Sequence, residues 1–519
     1  MKKLIIAAVG GLLATSCSLD IVPENTVTYT NAFATESELN TTTASIQYFI
    51  NIYLPDNTTL FSAGAKADYS LKNEEVREWN PRRVIQSAEA ETGWKGMYDI
   101  IYESNLLLDN IHRTQGLTQD RYNFHTGQAY FAMGLAYFTL AQRYGNCVIT
   151  NNSSDIVVYK LSPMIDVINK AISCAEKAYE VLPTYDKLTG LNGSKISSKQ
   201  YASKGNSAAL LSQLYAWKGS MIDLYGIQGE NAMEAYKKSI DYATAIIDKK
   251  VGDYSLCSSP EELCAKLSNP DVENPEAIFT LTFDKARSTE SVTPNKPASF
   301  YLSWPVDDTR DFGNLPYETD FQLYKETVDA MYPESTDKRR AAFFYKIDEP
   351  HDVDGMDYAI LYKFRNSLYV TDVNSPSGKY FRSINADYVY WRLADIILLR
   401  AECYAKTGQT AQAETDLNTI RQRAGASPYP SEYDNGDLKK AIFKEREREL
   451  IGETDERYYD VIRNNYVKEE LLGKFQKLTQ TDIKNGALFL PVPASAYSDK
   501  DGMTTNTQIR QTTYWIPYM

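Results

Sequence analysis

The chain has 519 residues, of which 43% are hydrophobic, and it carries a formal net charge of −13. This hydrophobic content allows a sizeable core, so we do not expect a disordered chain, and the length predicts lobes or an extended helical array. The acidic balance argues against nucleic acid and anionic membrane surfaces as partners, because both attract basic proteins.

The first residues are typical of an export signal. Lys2 and Lys3 form a basic head, and Leu4 to Ala14 is an almost uninterrupted apolar run that is too short to span a bilayer. The run ends in "ATSC", which resembles the lipobox of bacterial lipoproteins, where cleavage leaves the cysteine first and lipid is attached to it. We therefore expect residues 1–16 to be a signal peptide and Cys17 to be lipidated. The alternative is a secreted protein with an accidental cysteine.

A helical pattern extends from Gly93 to about residue 250. In "GWKGMYDIIYESNLLLDNI", one face recurs at three- and four-residue steps, and further amphipathic segments follow. Small residues such as Ala132 and Gly134 predict close contact between helices. We therefore predict a helical lobe over roughly 90–250, with Trp94 in its core.

Residues 251–390 lack this period and are rich in Pro, Asp, Asn and aromatic residues. They predict long ordered loops, with short strands at the alternating runs Ala277–Phe283 and Ala359–Phe364. "HDVDGMDY" at 351–358 resembles part of a calcium loop, but it lacks the full ligand pattern, and we expect a solvated turn.

A tetratricopeptide-like repeat follows this region. Its spacing is Ala401-x2-Tyr, a turn at Gly408, and Ala413-x3-Leu on the returning helix. Gly408 suits the position after a helix end, and we expect Thr410 to cap the next helix. The predicted fold is mainly α, with tetratricopeptide-like helix pairs forming a scaffold and a long loop-rich insertion carrying a few short strands. We also expect Trp391 in the core.

The segment "KERERELIGE" sets like charges four residues apart, as in Lys444 and Arg448. Pairing within one helix does not explain this arrangement. We therefore expect these side chains to reach neighbouring helices or loops. The same interpretation applies to Arg457, Asp460 and Arg463, which we expect to form a scaffold network and not a catalytic dyad.

The cysteines beyond Cys17 do not form a disulfide framework, because they are odd in number and scattered. We expect buried free thiols. A bridge between Cys257 and Cys264 remains the alternative.

Enzymatic interpretations find little support. The chain lacks H-E-x-x-H, G-x-S-x-G and G-x-x-x-x-G-K motifs, and its three histidines show no metal-ligand spacing. We expect no catalytic residues, metal or cofactor. A helical glycoside hydrolase needs only two suitable carboxylates, and it stays as the least favoured hypothesis.

Taken together, the chain resembles the SusD/RagB family of outer-membrane nutrient-binding lipoproteins of Bacteroidetes. Besides the lipobox, the matching segments are "WKGMYDIIYESNLLLD", "AYFTLAQRYG", "YWRLADIILLRAECYAKTGQTAQAETDLNTIRQRAG", "KERERELIGETDERYYDVIR", "LPVPASAY" and "NTQIRQ". One departure is "ETDER", which is a residue longer than the family's usual Glu-Gly-x-Arg and lacks its glycine.

The resemblance implies a non-catalytic protein on the outer-membrane surface that passes a nutrient to a SusC-like TonB-dependent transporter. The cargo implied is most often an oligosaccharide or polysaccharide, whereas relatives also take peptides and other nutrients. It also implies four segments: a signal peptide (1–16), a lipid-anchored N-terminal segment with a SusD-like helical lobe (17–250), a loop-rich ligand-binding region (251–390) and a RagB/SusD C-terminal helical region with its tail (391–519).

A glycan site needs aromatic rings for the C–H faces of sugars, and amide, carboxylate or guanidinium groups for their hydroxyls. Two loops offer this combination, "KADYSLKNEEVREWNPRR" and "SFYLSWPVDDTRDFG". The candidate ligand-binding residues are Asp68, Tyr69, Trp79, Asn80, Arg82, Tyr301, Trp304, Asp307 and Arg310. For Trp79 and Trp304, the alternative is a loop anchor folded into the core.

Overall fold

The computed structural model describes residues 32–55, 58–70, 74–86, 88–154, 157–282, 296–301, 320–353, 355–453, 457–498, 503 and 505–519. These residues are mainly helical, as the sequence predicts. The helices are α1 (Glu36–Tyr53), α2 (Thr58–Gly64), α3 (Glu74–Arg77), α4 (Pro81–Val84), α5 (Ala88–Asn110), α6 (Gln119–Tyr144), α7 (Met164–Val181), α8 (Lys204–Tyr225), α9 (Ala232–Ile247), α10 (Pro260–Leu267), α11 (Lys296–Tyr301), α12 (Lys325–Met331), α13 (Arg339–Phe343), α14 (Leu393–Lys406), α15 (Thr410–Ala424), α16 (Leu438–Leu450), α17 (Arg457–Arg463), α18 (Val467–Glu470) and α19 (Gln480–Lys484).

The strands are short and pair antiparallel. They are β1 (Tyr69–Ser70), β2 (Ala277–Leu281), β3 (Phe321–Tyr324), β4 (Asp352–Val353), β5 (Met356–Ala359), β6 (Ser367–Thr371), β7 (Lys379–Ile384) and β8 (Tyr388–Arg392). Within the described ranges they form a sheet of order β1-β3-β5-β4 and two pairs, β2-β8 and β6-β7. The small sheet brings chain positions near residues 70, 320 and 360 together.

One strand prediction is confirmed and one is wrong. The run from Ala277 forms β2 as far as Leu281, and Phe283 lies outside the described residues. The run from Ala359 to Phe364 is not a strand, because β5 ends at Ala359. Beyond it the chain carries the fully buried Lys363 inward, where its ammonium group donates to backbone carbonyls of the C-terminal region.

Helices α5 to α9 pack in sequence against their neighbours and fill the stretch that the sequence predicts as helical. Ser203 caps α8 through its hydroxyl, and Gly226 ends that helix in the left-handed conformation. Gly134 allows the close approach of α6 and α7, because a Cβ there would lie 3.2 Å from the Ala171 carbonyl oxygen. The small residues of α6 therefore set the helix spacing, as their pattern predicts.

The repeat turn between α14 and α15 has the predicted glycine but a different cap. Gly408 has φ +76°, and the backbone N–H of Gln409 donates to the Tyr404 carbonyl at 2.9 Å, as in a Schellman turn. Because this turn ends at Gln409, that residue becomes the N-cap of α15. The prediction that Thr410 caps the helix is therefore wrong, since Thr410 is its first residue.

Among the described residues, buried apolar side chains form a large core, a smaller one and a minor cluster between α8, α9 and α14. The large core joins the helical lobe to the C-terminal helices and contains Trp94 and Trp391, as predicted. The smaller core lies under the four-stranded sheet and includes Phe61, Tyr301 and Phe321. Among the described residues, no helix combines the length and apolar character needed to cross a membrane.

Four charged residues of α16, Glu445, Arg446, Glu447 and Glu449, are buried and paired with other elements, which confirms the scaffold interpretation for them. Lys444 reaches Glu470 of α18, whereas Arg448 pairs with Glu445 within the helix. Arg446 contacts Asp395 of α14 and Asp460 of α17 at 2.8 Å each. The Glu449 carboxylate forms ion pairs with Arg392 and Arg423. Because burial of an unpaired charge is costly, these pairs fix how the C-terminal helices pack on one another.

The five cysteines from Cys147 onward are all buried and free, so Cys257 and Cys264 do not form a bridge. Burial raises the pKa of the Cys257 thiol to about 12 and that of the Cys264 thiol to about 11. These residues therefore act as small apolar side chains, as predicted.

Candidate ligand-binding site

Asp68 ties the first predicted binding loop to the sheet. Its backbone N–H donates to the Gln322 carbonyl at 2.8 Å, and its carboxylate accepts from the Tyr324 N–H. The second carboxylate oxygen accepts from the Thr327 hydroxyl in the first turn of α12 at 2.7 Å. The Asp68 carboxylate is thus engaged within the protein, where it positions the loop.

The two predicted binding loops meet at this point. Tyr301 ends α11 with its ring 5.5 Å from that of Phe321, and its hydroxyl lies 3.5 Å from the Lys66 carbonyl. Tyr69 pairs with Gln322 along β1 and β3, and its side chain is 40% exposed. The structure therefore brings Tyr69 and Tyr301 into one region, with Tyr69 outside and Tyr301 buried below.

Trp79 lies in the large core, away from the surface. Its ring is fully buried, stacks on Phe475 at 4.8 Å and meets Trp515 edge-on at 5.6 Å. Its indole N–H donates to the Ala487 carbonyl at 2.8 Å. This environment favours the alternative that the sequence left open, in which Trp79 anchors the loop to the C-terminal tail.

The neighbours of Trp79 are exposed. Asn80 precedes α4, and Arg82 lies on its surface. Trp304, Asp307 and Arg310 lie outside the described residues, as does Cys17.

A cleft with a volume of about 460 Å³ opens beside the loop junction. We call it the Tyr433 cleft, and its lining includes Lys66, Thr327, Tyr433, Asn435, Lys440 and Lys444. Thr327 is the residue that donates to Asp68, so the cleft adjoins the first predicted loop. Lys66 also lies 4.0 Å from Glu447 of α16, which links the two walls.

The cations of this cleft are already neutralised. Lys440 lies 2.7 Å from Glu470, and Lys444 lies 2.9 Å from the same carboxylate. Burial acts to raise the pKa of the Glu447 carboxyl, but Arg457, Lys444 and Lys66 outweigh it and hold that pKa well below its usual range. With charges balanced by ion pairs, the cleft suits a neutral ligand with many hydroxyl groups better than a strong anion.

Sequence reasoning missed Tyr433 and Asn435. They lie between α15 and α16 in "SPYPSEYDNGD", where Tyr433 is 46% exposed and Asn435 has φ +51°. The available signal was an aromatic ring beside an amide in a Pro- and Gly-containing loop, which is the pattern used for the other two loops.

The part of the chain that the structure describes contains no cluster of metal-binding side chains. No group of three or more His, Cys, Asp and Glu side chains there is placed to hold a metal ion. In the segment that resembles a calcium loop, Asp352 and Asp357 are backbone register partners in β4 and β5, and the Asp357 carboxylate accepts from the His351 N–H at 2.8 Å.

Two family models match the chain. One, described as "SusD family", matches residues 354–518, and the other, described as "Starch-binding associating with outer membrane", matches residues 19–215. The chain is 23% identical to SusD-like protein P25 of Formosa agariphila over an alignment of 463 residues, which covers 82% of this chain and 79% of that protein. SusD-like protein P38 of the same organism is 21% identical over an alignment of 444 residues, which covers 78% of each chain.

Solved structures have the same fold. A SusD homolog from Bacteroides thetaiotaomicron superposes with a TM-score of 0.73 at 21% identity, covering 93% of this chain and 98% of that one. NanU of B. fragilis superposes with a TM-score of 0.64 at 18% identity, covering 94% and 99%. At these identities the likeness extends to the fold alone.

Proposed function

The chain belongs to the SusD/RagB family, and from that premise we propose that it is a non-catalytic surface protein that captures a glycan. It passes an oligosaccharide or polysaccharide to a partner SusC-like TonB-dependent transporter in the outer membrane. The observation that carries this proposal is the pair of family matches, one of which bears the description of starch binding at the outer membrane.

The site geometry supports a glycan as cargo. Tyr69 and Tyr433 present partly exposed rings, and the Tyr433 cleft adds amide and hydroxyl groups from Asn435 and Thr327. Rings of this kind bind the C–H faces of sugars, while the polar groups exchange hydrogen bonds with hydroxyls. Trp304, Asp307 and Arg310 stay candidate ligand contacts in this proposal, because they follow Tyr301 closely in the sequence.

Binding should be weak enough for release. A captured nutrient must leave for the transporter, so we expect a Kd of about 1 μM to 1 mM. Native gels containing one polysaccharide each test the proposal with the soluble form that begins at Ser18. We expect retardation by at least one glycan, with no release of reducing ends. Retardation by none of a broad panel contradicts glycan capture, and release of reducing ends contradicts the non-catalytic role.

Three variants locate the site. Tyr433→Ala, Tyr69→Ala and Trp304→Ala should each reduce retardation, because each removes one ring contact of about 0.5–1.5 kcal/mol. Tyr122→Ala is the matched control, since Tyr122 is a 42% exposed tyrosine on α6. Equal retardation in all four variants would place the glycan elsewhere.

The membrane anchor is the second part of the proposal. Lipid on Cys17 would hold the mature chain at the membrane, because several acyl chains anchor a protein stably. We expect Cys17→Ala to move the protein into the soluble fraction with an unchanged melting temperature. Retention in the membrane fraction contradicts this anchor.

Delivery to a transporter is tested on the anchored protein. After chemical cross-linking of intact cells and detergent extraction, we expect a TonB-dependent transporter to be linked to the chain at near-equal amounts. A protein recovered alone under conditions that preserve other outer-membrane complexes contradicts a stable partnership.

A further inference from the structure

A second cleft, of about 490 Å³, lies apart from the predicted loops. We call it the Asn274 cleft. It forms where the connection between α7 and α8 meets the segment after α10 and the β2-β8 pair, and its lining includes Tyr185, Lys199, Asn274, Thr280 and Asp387. Its volume lies within the range of about 300–1,000 Å³ that small-molecule sites occupy.

Two buried polar groups of this cleft have no hydrogen-bond partner among the residues that the structure describes. They are the side-chain NH₂ of Asn274 and the hydroxyl of Thr280, in residues that are 8% and 7% exposed. The Asn274 amide is oriented, because its oxygen accepts from the Glu276 N–H at 3.0 Å and its NH₂ remains the donor. Buried polar groups are nearly always satisfied, so each of these two groups requires a further hydrogen-bond partner, which a bound ligand or an ordered water supplies.

Lys199 binds the backbone of both residues. Its ammonium donates to the Asn274 carbonyl at 3.1 Å and to the Ala277 carbonyl at 2.9 Å. Its own carbonyl accepts from the Thr280 N–H at 3.4 Å. The Lys199 charge is thus committed to protein oxygens, which leaves little attraction for an anionic ligand.

The remaining lining is balanced in charge and includes a ring. It carries three lysines and three acidic residues, Lys195, Lys199, Lys266, Asp271, Glu273 and Asp387. The half-buried ring of Tyr185 is held by its hydroxyl, which donates to the Ser197 carbonyl, and by Lys199, 5.5 Å from the ring centroid. A flat ring beside neutral hydrogen-bonding groups suits a sugar, and not an anion or an apolar molecule.

We propose that the Asn274 cleft is a second binding site, which takes a neutral polyhydroxylated ligand of mono- or disaccharide size. A hydroxyl oxygen of the ligand accepts from the Asn274 NH₂, another hydroxyl exchanges a hydrogen bond with Thr280, and a ring face packs near Tyr185. The choice of sugars as the ligand class rests on the proposed function, whereas the cleft and its unpartnered groups do not.

Saturation-transfer NMR on the form that begins at Ser18 tests this site. The probes are glucose, galactose, mannose, xylose, maltose, cellobiose and lactose. We expect at least one to receive saturation from the protein. Thr280→Val should weaken its binding by about 2- to 10-fold, which corresponds to one hydrogen bond, and should leave the melting temperature unchanged or higher. The stability result follows because the hydroxyl has no partner to lose.

The matched control is Thr126→Val. Thr126 is also buried, at 3% exposed, but its hydroxyl donates to the Tyr122 carbonyl at 2.8 Å. Loss of this hydroxyl should therefore lower stability and leave sugar affinity unchanged. No saturation of any probe, or equal affinity in Thr280→Val, overturns the second site. If polysaccharides still retard the chain in gels, glycan capture stands without it. If a sugar receives saturation, Thr280→Val weakens its binding and no polysaccharide retards the chain in gels, the second site is supported and polysaccharide capture is refuted.

Discussion

Replacing Trp79 with alanine tests whether this residue anchors its loop in the core or binds sugar. The buried ring contacts Phe475 and Trp515, and its N–H donates to the Ala487 carbonyl. Trp-to-Ala changes in cores cost about 3–5 kcal/mol of unfolding free energy. Of this, the hydrogen bond contributes about 1 kcal/mol, and the two ring pairs about 0.5–1.5 kcal/mol each. We therefore expect Trp79→Ala to lower the free energy of unfolding by about 4 kcal/mol.

The assay is urea unfolding followed by circular dichroism at 222 nm, beside polysaccharide retardation in native gels. Trp79→Phe keeps much of the ring but leaves the Ala487 carbonyl without its donor, so its loss should be about 1–3 kcal/mol. Arg82→Ala, at an exposed position three residues along, should stay within about 0.5 kcal/mol of the parent. An unchanged midpoint in Trp79→Ala together with lost retardation would refute the core interpretation.

Three further predictions concern the buried charges and thiols. Arg392→Met should destabilise the chain by about 3–5 kcal/mol in the same assay, because it leaves buried carboxylates short of a cation, whereas Arg82→Met should have little effect. Burial acts to raise the pKa of Glu449, but surrounding arginines outweigh it and lower that pKa to about 2. The Glu449 carboxylate therefore contributes to the stability of the fold above its unfolded-state pKa of about 4.5, and this contribution should be lost as the pH falls towards 2. Acid unfolding of the parent and of Glu449→Gln compares the two. In the form that begins at Ser18, Ellman's reagent should find no reactive thiol before unfolding and five afterwards, and a count of three after unfolding would indicate a bridge between Cys257 and Cys264.

Local patterns predicted the scaffold well because helix periodicity depends on neighbours in sequence. The small residues of α6 and the turn at Gly408 are such local features, and both behave as predicted. The prediction that Thr410 caps α15 was wrong because Gln409 both completes the Schellman turn of α14 and serves as the N-cap of α15. This outcome depends on how the ends of two helices share one short connection.

The candidate site was harder to predict because it depends on contacts distant in sequence. An aromatic residue in a polar loop has the same local pattern whether it is exposed like Tyr69 or buried like Trp79. What distinguishes them is the partner, and the partners of Trp79 lie near the C-terminus. The Asn274 cleft gave no local signal, since its two unpartnered groups become significant only through their shared burial beside Lys199.

The hydrogen bond between Trp79 and Ala487 joins residues 408 positions apart. During synthesis the chain emerges N-terminus first, so the residues that pack on the Trp79 ring are made only after nearly all of the protein. The Asp68 carboxylate likewise binds the N–H of Tyr324, which lies 256 positions later in the chain. Contacts of such separation form late, since loop closure precedes any gain from them. The first loop of the candidate site therefore closes late, and a chain interrupted before its tail would lack the contacts that anchor Trp79.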